Sequence, residues 1–499
     1  MGSPSDAESV PVSGVVTWVS AGDERGYFLQ DLGEAATGPR GLWIFDEAGA
    51  SAGERLWLRG AVTTRGARPA LRVAERHSCG QSGLPPPRGL RLPHGGAAEL
   101  EASDATLVRL EATAVLGAFV EGADGSSWVR LSDQRWFAGS PAARDARRWL
   151  DLGWPSLASA GGEGWPRSGD ELVPVVGVLD GSGERPLLRP LGTVAWIARN
   201  PRPSAPPRAS PASWRMAAMN LGNCFTTLRS RGAETALERH YQREKLLAAL
   251  VALDADVLAL LEVENDGGVT ESELLAALNA RSASPYEAAP PPESPGSDAI
   301  HTVLFHRPSR VTLIPGSARD DVRAVHRRPV RAQSFLVGER VVSVLAVHAK
   351  SRSCAGAGVA DADTGEGCFQ TERIDQSLAL ADFAAEQAER VGSAHLLLLG
   401  DFNAYPGERS LTLLADAGYL DRLASVPQAY SFVFDGLAGL LDHAFSSPSL
   451  APAIQAAGIW HINADEPLWL DYRHASTPGF GTDAFRSSDH DPVWLDLAN

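Results

Sequence analysis

Several apolar runs in the second half of the chain end at a polar side chain. Runs of four to eight apolar residues, bounded by polar residues, predict strands that are buried on both faces of a sheet. Such strands deliver the residues that follow them to one edge of the sheet. The runs, each with its polar residue, are Val257–Leu261 with Glu262, Arg340–Val347 with His348, and Leu396–Leu399 with Asp401.

Six polar clusters follow one another in this half of the chain, and most of them adjoin an apolar run. Carboxylates, amides and imidazoles at one sheet edge suit the binding of a divalent metal and a phosphate diester. The clusters contain Asn220, Glu262, His348, Asp401 with Asn403, Asp442 with His443, and Asp489 with His490.

The acidic residues beside these strands have two interpretations each. Asp401 and Asn403 share a face in extended chain, so Asp401 could accept a proton from water and Asn403 could donate to a phosphate oxygen. The alternative is an ordinary β-turn, since Asp and Asn are common turn formers. Glu262 is a metal ligand or a helix cap. Alternation points Glu264 the same way, as a second, weaker ligand candidate.

The histidines suit acid–base work. His490 carries the side chain whose ordinary pKa best fits proton transfer near neutrality, and Asp442 could hold it in one tautomer. His348 suits protonation of a leaving oxygen or stabilisation of its charge, with Asp298 as a candidate to orient it. Lys350, one of only two lysines in the chain, could contact phosphate as a point charge.

The chain is too long for one core, and its pattern changes along its length. Short β-branched and aromatic strands in the first 200 residues predict two β-rich modules, the first a small barrel of the OB type and the second barrel-like. Alternating helices and strands beyond the prolines predict a layered α/β domain. The predicted boundaries are 1–83 and 88–198 for the modules, 199–212 for a Pro-rich linker and 213–499 for the α/β domain.

The charge is concentrated in the α/β domain. Residues 213–499 contain 37 acidic and 23 basic residues, a formal net charge of −14 out of −16 for the whole chain. This balance fits metal binding better than tight, nonspecific nucleic-acid binding. No run approaches the roughly 18 apolar residues of a membrane span.

The amino terminus and the cysteines bear on the compartment. Residues 1–8 lack the basic start and apolar stretch of a signal peptide, but Met1-Gly2-Ser3 is typical of an expression-vector remnant. We therefore expect a removed leader and a secreted or periplasmic protein, with the cytoplasm as the alternative. A bridge between Cys354 and Cys368 would contribute about 3 kcal/mol. The alternative is two reduced thiols in a cytosolic loop.

The ordered clusters resemble the endonuclease/exonuclease/phosphatase superfamily, whose best-known member is DNase I. More narrowly, they resemble its extracellular bacterial deoxyribonucleases of the ExeM/NucH type. Further matching segments are Phe225-Thr226-Thr227, Arg328-Pro329 with Gln333, the Cys354–Cys368 insert, Tyr430–Gly436, Ile459–Pro467 and Asp471-Tyr472. The resemblance covers most of residues 215–497 and implies a four-layer α/β sandwich preceded by β-barrel modules.

The resemblance also implies the site and its chemistry. Asn220, Glu262 and Asp489 would hold or orient Mg²⁺, with Mn²⁺ or Ca²⁺ as alternatives. Activated water would attack a phosphodiester in line, while the metal and the imidazoles neutralise the developing charge. The catalytic residues implied are His348, Asp401, Asn403, Asp442 and His490.

Substrate, partners and rival functions complete these expectations. We expect DNA, and RNA as a second substrate, with a monomeric enzyme and no obligate protein partner. The rivals are a phosphoesterase of the same fold acting on phospholipid head groups or small phosphates, and a non-catalytic nucleic-acid-binding protein.

Two loops have open interpretations. Asp361 and Asp363 lie in a glycine-rich segment that holds a structural Ca²⁺ or is a solvated loop. The arginine cluster that includes Arg328 contacts a nucleic-acid backbone or forms a solvated face. Its members are Arg323, Arg327, Arg328 and Arg331.

Overall fold

A computed structural model describes residues 9–20, 24–33, 40–111, 114–121, 127–153, 164–291 and 294–498. Residues 1–8, where a vector remnant was predicted, lie outside this description. The chain divides into two units. The first comprises the chain up to Asn200 together with Asp435–Leu437, and the second comprises Pro201–Phe434 and the chain from Ala438 onward.

The first unit begins with a closed barrel of five strands, in the order β1-β2-β3-β5-β4. Its apolar residues alternate inward, so that Val16, Leu29, Ile44 and Leu58 form one buried cluster. The prediction of a small barrel is confirmed, whereas the OB type stays a prediction. The strands are β1 (Ser9–Val19), β2 (Tyr27–Gln30), β3 (Gly41–Phe45), β4 (Glu54–Arg65) and β5 (Arg68–Gln81).

The second β-rich block of this unit is a nine-stranded sheet. Among the described residues, the hydrogen-bonded path runs β15-β12-β8-β9-β11-β14-β13-β7-β6, from one end strand to another. The elements are β6 (Arg88–Leu90), α1 (Ala97–Ser103), β7 (Leu107–Leu110), β8 (Ala114–Glu121), β9 (Ser127–Ser132), β10 (Trp136–Phe137), β11 (Trp149–Gly153), β12 (Glu171–Leu172), β13 (Val176–Asp180), β14 (Leu187–Pro190) and β15 (Trp196–Ile197).

The second unit contains two mixed sheets, and the strands of one come mostly before those of the other in the chain. The first sheet has the order β18-β19-β17-β16-β30-β29, and the second has the order β20-β22-β23-β24-β28-β25, with β21 paired to β22. The strands of these two sheets are β16 (Trp214–Cys224), β17 (Val257–Glu264), β18 (Glu287–Ala288), β19 (Ile300–His306), β20 (Thr312–Leu313), β21 (Arg319–Asp321), β22 (Val330–Val337), β23 (Arg340–His348), β24 (Leu396–Asp401), β25 (Leu420–Asp421), β28 (Asp442–Ser446), β29 (Ile454–Ile459) and β30 (Val493–Leu497). Two short strands, β26 (Phe432–Phe434) and β27 (Leu437–Gly439), belong to neither sheet.

The two sheets pack face to face through one apolar core. Val257 and Ala259 of β17 belong to the same buried cluster as Val344 of β23 and Leu397 and Leu399 of β24. The intervening residues of these strands point outward, because side chains alternate along a strand.

Helices cover the outer face of each sheet. The outward residues of β17 pack with α2 and α3, and those of β23 and β24 pack with α4 and α5. The second unit is therefore a four-layer α/β sandwich, as the family resemblance implied. The helices are α2 (Ala236–Leu253), α3 (Val269–Asn279), α4 (Gln370–Val391) and α5 (Arg409–Asp416). None of the helices in the described ranges is long and apolar enough to cross a membrane.

The segment predicted as a linker makes specific contacts within the second unit. Arg208 donates to Asp254 at 2.6 Å and to Asp256 at 3.0 Å, and the Pro203 carbonyl accepts from the Trp460 indole at 2.9 Å. From Pro201 onward this proline-rich stretch is therefore fixed to the sandwich. Cys354 and Cys368 form a disulfide, in agreement with the first of the two alternatives.

An ion pair between a fully buried histidine and a partly buried aspartate joins β28 and β25 of the second sheet. His443 is 0% exposed, and its ring nitrogens lie 3.1 Å from an Asp421 oxygen and 3.0 Å from the Ala404 carbonyl. Burial lowers the pKa of His443, but the hydrogen bond and charge of Asp421 outweigh burial, so the pKa is raised. Burial raises the pKa of Asp421, but the hydrogen bond from His443 outweighs burial, so the pKa of Asp421 is lowered overall.

We expect this pair to stabilise the second unit most between about pH 4 and pH 6.5, the ordinary pKa values of the two groups. A raised histidine pKa means that its contribution is lost as pH rises through the folded-state value. The free energy of unfolding of the wild type should therefore fall between pH 5.5 and pH 8. That of Asp421→Asn should fall by about 1 to 2 kcal/mol less over the same interval. Urea denaturation of both proteins at the two pH values measures this difference, and identical pH dependence would contradict it.

Candidate active site

Three site residues form one row across the second sheet. His348 at the end of β23 pairs with Asp401 at the end of β24, and Asp401 pairs with Asp442 at the start of β28. All three are at most 5% exposed. The strand-end placement predicted from the apolar runs is thus what brings an imidazole and two carboxylates together.

The first sheet contributes Asn220 from β16 and Glu262 from β17. The β17 register shifts between Leu260 and Val263, and Glu262 has a left-handed φ of 60°. Such backbone costs about 1 kcal/mol or more and clusters at functional sites. The Asn220 amide nitrogen donates to Glu262 Oε1 at 3.2 Å and to Asp401 Oδ2 at 3.3 Å. It therefore orients one carboxylate from each sheet.

The loop before β30 contributes Asp489 and His490. The Asn463 amide nitrogen donates to the His490 carbonyl at 2.7 Å, and its oxygen accepts from the Ser487 amide at 2.8 Å. One Asp491 carboxylate oxygen accepts from the backbone amide of Asn463 at 2.7 Å. These bonds fix the loop, with Asp489 exposed and the His490 ring buried.

Asp442 and His490 form the predicted dyad. His490 Nδ1 lies 2.7 Å from Asp442 Oδ2, which also accepts from the Ser431 hydroxyl at 2.7 Å. Burial lowers the pKa of His490, but the charges of Asp442 and Asp401 outweigh burial and raise it well above its ordinary value. The geometry therefore favours an imidazolium at neutral pH. Phe432 packs against the ring, with centroids 4.8 Å apart.

His348 is electrostatically the opposite of His490. Burial, and then the charge of Arg328, hold its pKa well below the ordinary value. Its Nε2 lies 3.0 Å from Arg328 Nη1, so the neutral ring accepts a hydrogen bond from the guanidinium. Arg328 Nη2 donates to the Ala349 carbonyl at 2.5 Å. His348 thereby holds Arg328 at the site.

Asp401 has a pKa suited to exchanging a proton near neutrality. Burial raises it to about 7, and the charge of Asp442 adds to this, although His490 opposes it. Asn403, with a left-handed φ of 50°, donates its backbone amide and its side-chain amide to the two Asp401 oxygens, at 2.8 and 3.0 Å. Its side chain also donates to the Ala349 carbonyl at 3.3 Å. Both amide hydrogens are thus engaged within the protein, and Asn403 orients Asp401 rather than facing outward.

The donor set fits a hard divalent cation. Burial, followed by the charge of Asp489, raises the pKa of Glu262, although the charges of His490 and Arg328 act in the opposite sense. Oxygen donors of this kind suit Mg²⁺, Mn²⁺ or Ca²⁺. Asp401, Asp442 and His490 also place ligand atoms within 4.8 Å of one another. In that trio, however, one atom of Asp442 and one of His490 are already joined in a hydrogen bond, so Glu262, which the Asn220 amide orients, and the exposed Asp489 are the better candidates.

Several predicted residues are used elsewhere. Glu264 accepts from the backbone amides of Thr226 and Thr227 at 2.8 and 3.0 Å, because the register shift in β17 breaks the alternation with Glu262. Asp298 does not contact His348. It pairs with Arg231 at 2.9 Å.

The two loop aspartates, Asp361 and Asp363, and Lys350 have their contacts outside the hydrogen bonds that join Asn220, Glu262 and Asp401. Asp363 caps its own loop by accepting from the amides of Gly365 and Gly367, while the Asp361 carbonyl accepts from Phe369. Among the described residues, neither aspartate belongs to a metal-sized group of three or more ligands. The Lys350 ammonium lies 3.8 Å from the centre of the Phe369 ring.

Three positioning residues were not singled out from the sequence. Ser431 orients Asp442, while Asn463 and Asp491 hold the loop of His490. Ser431 and Asn463 lie inside segments that carry the family resemblance, and that location was their only signal. Nothing in the local pattern indicates that their side chains are buried.

The family model described as the endonuclease/exonuclease/phosphatase family matches residues 217–490. The chain belongs to this family. Its enzymes are hydrolases that act on phosphodiesters or phosphate esters and depend on divalent metals. The match spans all the residues of the site described above, from Asn220 to His490.

Several solved structures with similar folds have low sequence identity to the chain described here. The human Nocturnin catalytic domain with bound sulfate is 18% identical, covers 57% of this chain and 94% of its own, and has a TM-score of 0.39. Humanized D. rerio TDP2 is 14% identical and covers 58% and 100%, with a TM-score of 0.39. A mannosyl-6-phosphatase from Bacteroides thetaiotaomicron is 15% identical and covers 57% and 100%, with a TM-score of 0.39. No curated protein matches the sequence of this chain.

Removal of the dyad imidazole should abolish most of the hydrolytic activity. His490→Ala is expected to lower kcat by about 100- to 10,000-fold, because it removes the proton donor paired with Asp442. His240→Ala, at an exposed histidine on α2, is the matched control and should retain full activity. Initial rates on a phosphodiester substrate and thermal midpoints of both variants check this, and an active His490→Ala protein would refute the assignment.

Glu262→Gln should weaken divalent-metal binding about 10- to 100-fold, because the site loses one of its anionic oxygen donors. Glu389→Gln, at an exposed glutamate on α4, is the control and should bind as the wild type does. Calorimetric titration with Mg²⁺ in the absence of substrate measures both affinities. Equal affinity of the Glu262→Gln variant and the wild type would remove Glu262 from the metal site.

Proposed function

We propose that this protein is a metal-dependent nuclease that hydrolyses phosphodiester bonds of DNA, with RNA as a second substrate. The observation that carries the proposal is the combination of an imidazolium dyad, Asp442–His490, with a near-neutral carboxyl, Asp401, that accepts protons. An imidazolium and a carboxyl whose pKa lies near neutrality supply an acid and a base at one site.

Cations beside the site favour a polymeric substrate over a single phosphate. Burial lowers the pKa of Arg328 and the charge of Arg231 lowers it further, although Asp298, Asp401 and Glu262 act in the opposite sense. Burial likewise lowers the pKa of Lys350, which Glu372 opposes and Arg328 and Arg327 reinforce. Arg328 therefore lies near Arg231 and Lys350, and Lys350 also lies near Arg327. Several phosphates of one strand would relieve their repulsion better than one phosphate monoester.

The residues act as follows in this proposal. Asp401, oriented by Asn220 and Asn403, accepts a proton from the attacking water. As the bond between phosphorus and the leaving oxygen breaks, the His490 imidazolium donates its proton to that oxygen. Arg328, held by His348, donates hydrogen bonds to a phosphate oxygen and neutralises the charge that develops there. A bound divalent cation would polarise the phosphate and lower the pKa of water.

The narrower assignment concerns the extracellular deoxyribonuclease branch. It is supported by the ordered motifs of the second unit and by the Cys354–Cys368 disulfide, which favours an oxidising compartment. A phosphoesterase acting on phospholipid head groups or small phosphates is the second candidate, since the family contains phosphatases as well as nucleases.

The deciding assay compares substrates for the purified full chain. Supercoiled plasmid, linear DNA, RNA and p-nitrophenyl phosphate are incubated with Mg²⁺ and, separately, with a chelator. We expect plasmid cleavage that the chelator abolishes and that His490→Ala lacks. Hydrolysis of p-nitrophenyl phosphate alone would favour the phosphoesterase, and inactivity on every substrate would overturn the proposal of catalysis.

A further inference from the structure

The first unit contains a cavity of about 310 Å³ that the active-site chemistry does not use. This volume lies at the lower end of the range for small-molecule sites, which are mostly apolar with a few placed polar groups. Leu100, Trp149, Leu150 and Pro186 supply apolar lining. The charged lining residues are Arg130, Arg147, Asp151, Glu184 and Arg185.

Asp151 is the unusual group in this cavity. It is 7% exposed and lines the cavity, while Arg130 and Arg185 both pair with Asp435. Burial raises its pKa, although Arg130 and Arg185 act in the opposite sense. A carboxylate that lines a cavity without a paired cation can accept hydrogen bonds from a ligand that brings donors.

The nearest cation does not neutralise Asp151 directly. Arg130 pairs with Asp151 across β9 and β11, yet its guanidinium bonds to Asp435 and lies 4.6 Å over the Trp149 ring. Trp149 and Asp151 are two residues apart on β11 and therefore project from the same face. A flat aromatic–guanidinium stack thus adjoins the Asp151 carboxylate.

Two exposed arginines of the cavity lining can bind an anion. Arg147 and Arg185 line the cavity, and their side chains are 60% and 52% exposed. Among the described residues, the carboxylate partner of Arg147 is Asp145 at 2.8 Å and that of Arg185 is Asp435 at 3.0 Å. Exposed arginines with one partner keep donors for a phosphate, which guanidinium groups bind in a bidentate manner.

We infer that this cavity binds a guanine nucleotide, with the base edge on Asp151, the ring against Trp149 and Arg130, and the phosphate at Arg147 and Arg185. Guanine presents a ring N–H beside an amino group, two adjacent donors that match the two oxygens of one carboxylate. Adenine and cytosine present a donor beside an acceptor, which would face a carboxylate oxygen unfavourably. The nucleotide is either free or part of a single strand, since both carry the same groups.

The test uses the full chain carrying His490→Ala, so that no ligand is hydrolysed and the outcome is independent of the proposed nuclease activity. Calorimetry with GMP, AMP, CMP and TMP should show GMP bound at least tenfold more tightly than AMP. Adding Asp151→Asn should weaken GMP binding about 10- to 100-fold. Glu111→Gln, at an exposed carboxylate of the same unit outside the cavity lining, is the control and should change nothing.

A second variant keeps the inference falsifiable if Asp151→Asn fails to fold. Arg147→Ala should remove most of the preference for GMP over guanosine while leaving guanosine binding unchanged. Equal affinity for GMP and AMP, or unchanged GMP affinity in the folded Asp151→Asn protein, would overturn the inference.

The source of the nucleotide is decided with oligonucleotides. A thymidine dodecamer containing one guanine is compared with the all-thymidine dodecamer and with GMP. Tighter binding of the guanine-containing strand than of GMP assigns the cavity to a strand, and tighter binding of GMP assigns it to the free nucleotide. Failure to bind either guanine ligand would refute the inference.

Discussion

The burial of both faces of the central strands is the constraint on which the rest of the second unit depends. The strands β17, β23 and β24 contribute alternate residues to the core between the sheets and to the cores beneath the helices. Charged groups on such strands are costly unless they are paired, so the chemistry is confined to strand ends. Because β23 and β24 run parallel and β28 returns antiparallel, His348, Asp401 and Asp442 meet in one row.

The charges around each side chain of the site then give similar side chains different roles. Glu262 and Asp401 have raised pKa values because they are buried among carboxylates, which makes one a partner for a cation and the other a proton acceptor. Two buried histidines differ for the same reason. His490 contacts an aspartate and is held cationic, whereas His348 contacts an arginine and is held neutral. Opposed shifts of this kind are typical of functional sites.

The alternation of helices and strands beyond the prolines could be predicted from the sequence, and α2 (Ala236–Leu253) and α4 (Gln370–Val391) are two of its helices. Several strands could not be predicted. Strands β16 and β22 were not predicted, because each buries polar side chains that interrupt the apolar pattern. Arg215 in β16 is paired with Asp496 at 2.8 Å, and Gln333 in β22 donates to Ser317 at 2.7 Å. These partners lie far away in the sequence, so no local pattern reports them.

The sequence by itself determined which residues reach the edge of the sheets, because the end of a buried strand follows from a local apolar run that stops at a polar residue. It also determined the chemistry of the site, since the ordered clusters contain carboxylates, amides and imidazoles. Only the tertiary structure decided how these groups are partnered. Asn220 bridges Glu262 and Asp401, Arg328 rather than Asp298 bonds His348, and Asn403 turns inward onto Asp401. Such partners depend on the register between strands and on side-chain direction, which are set by packing across the whole sandwich.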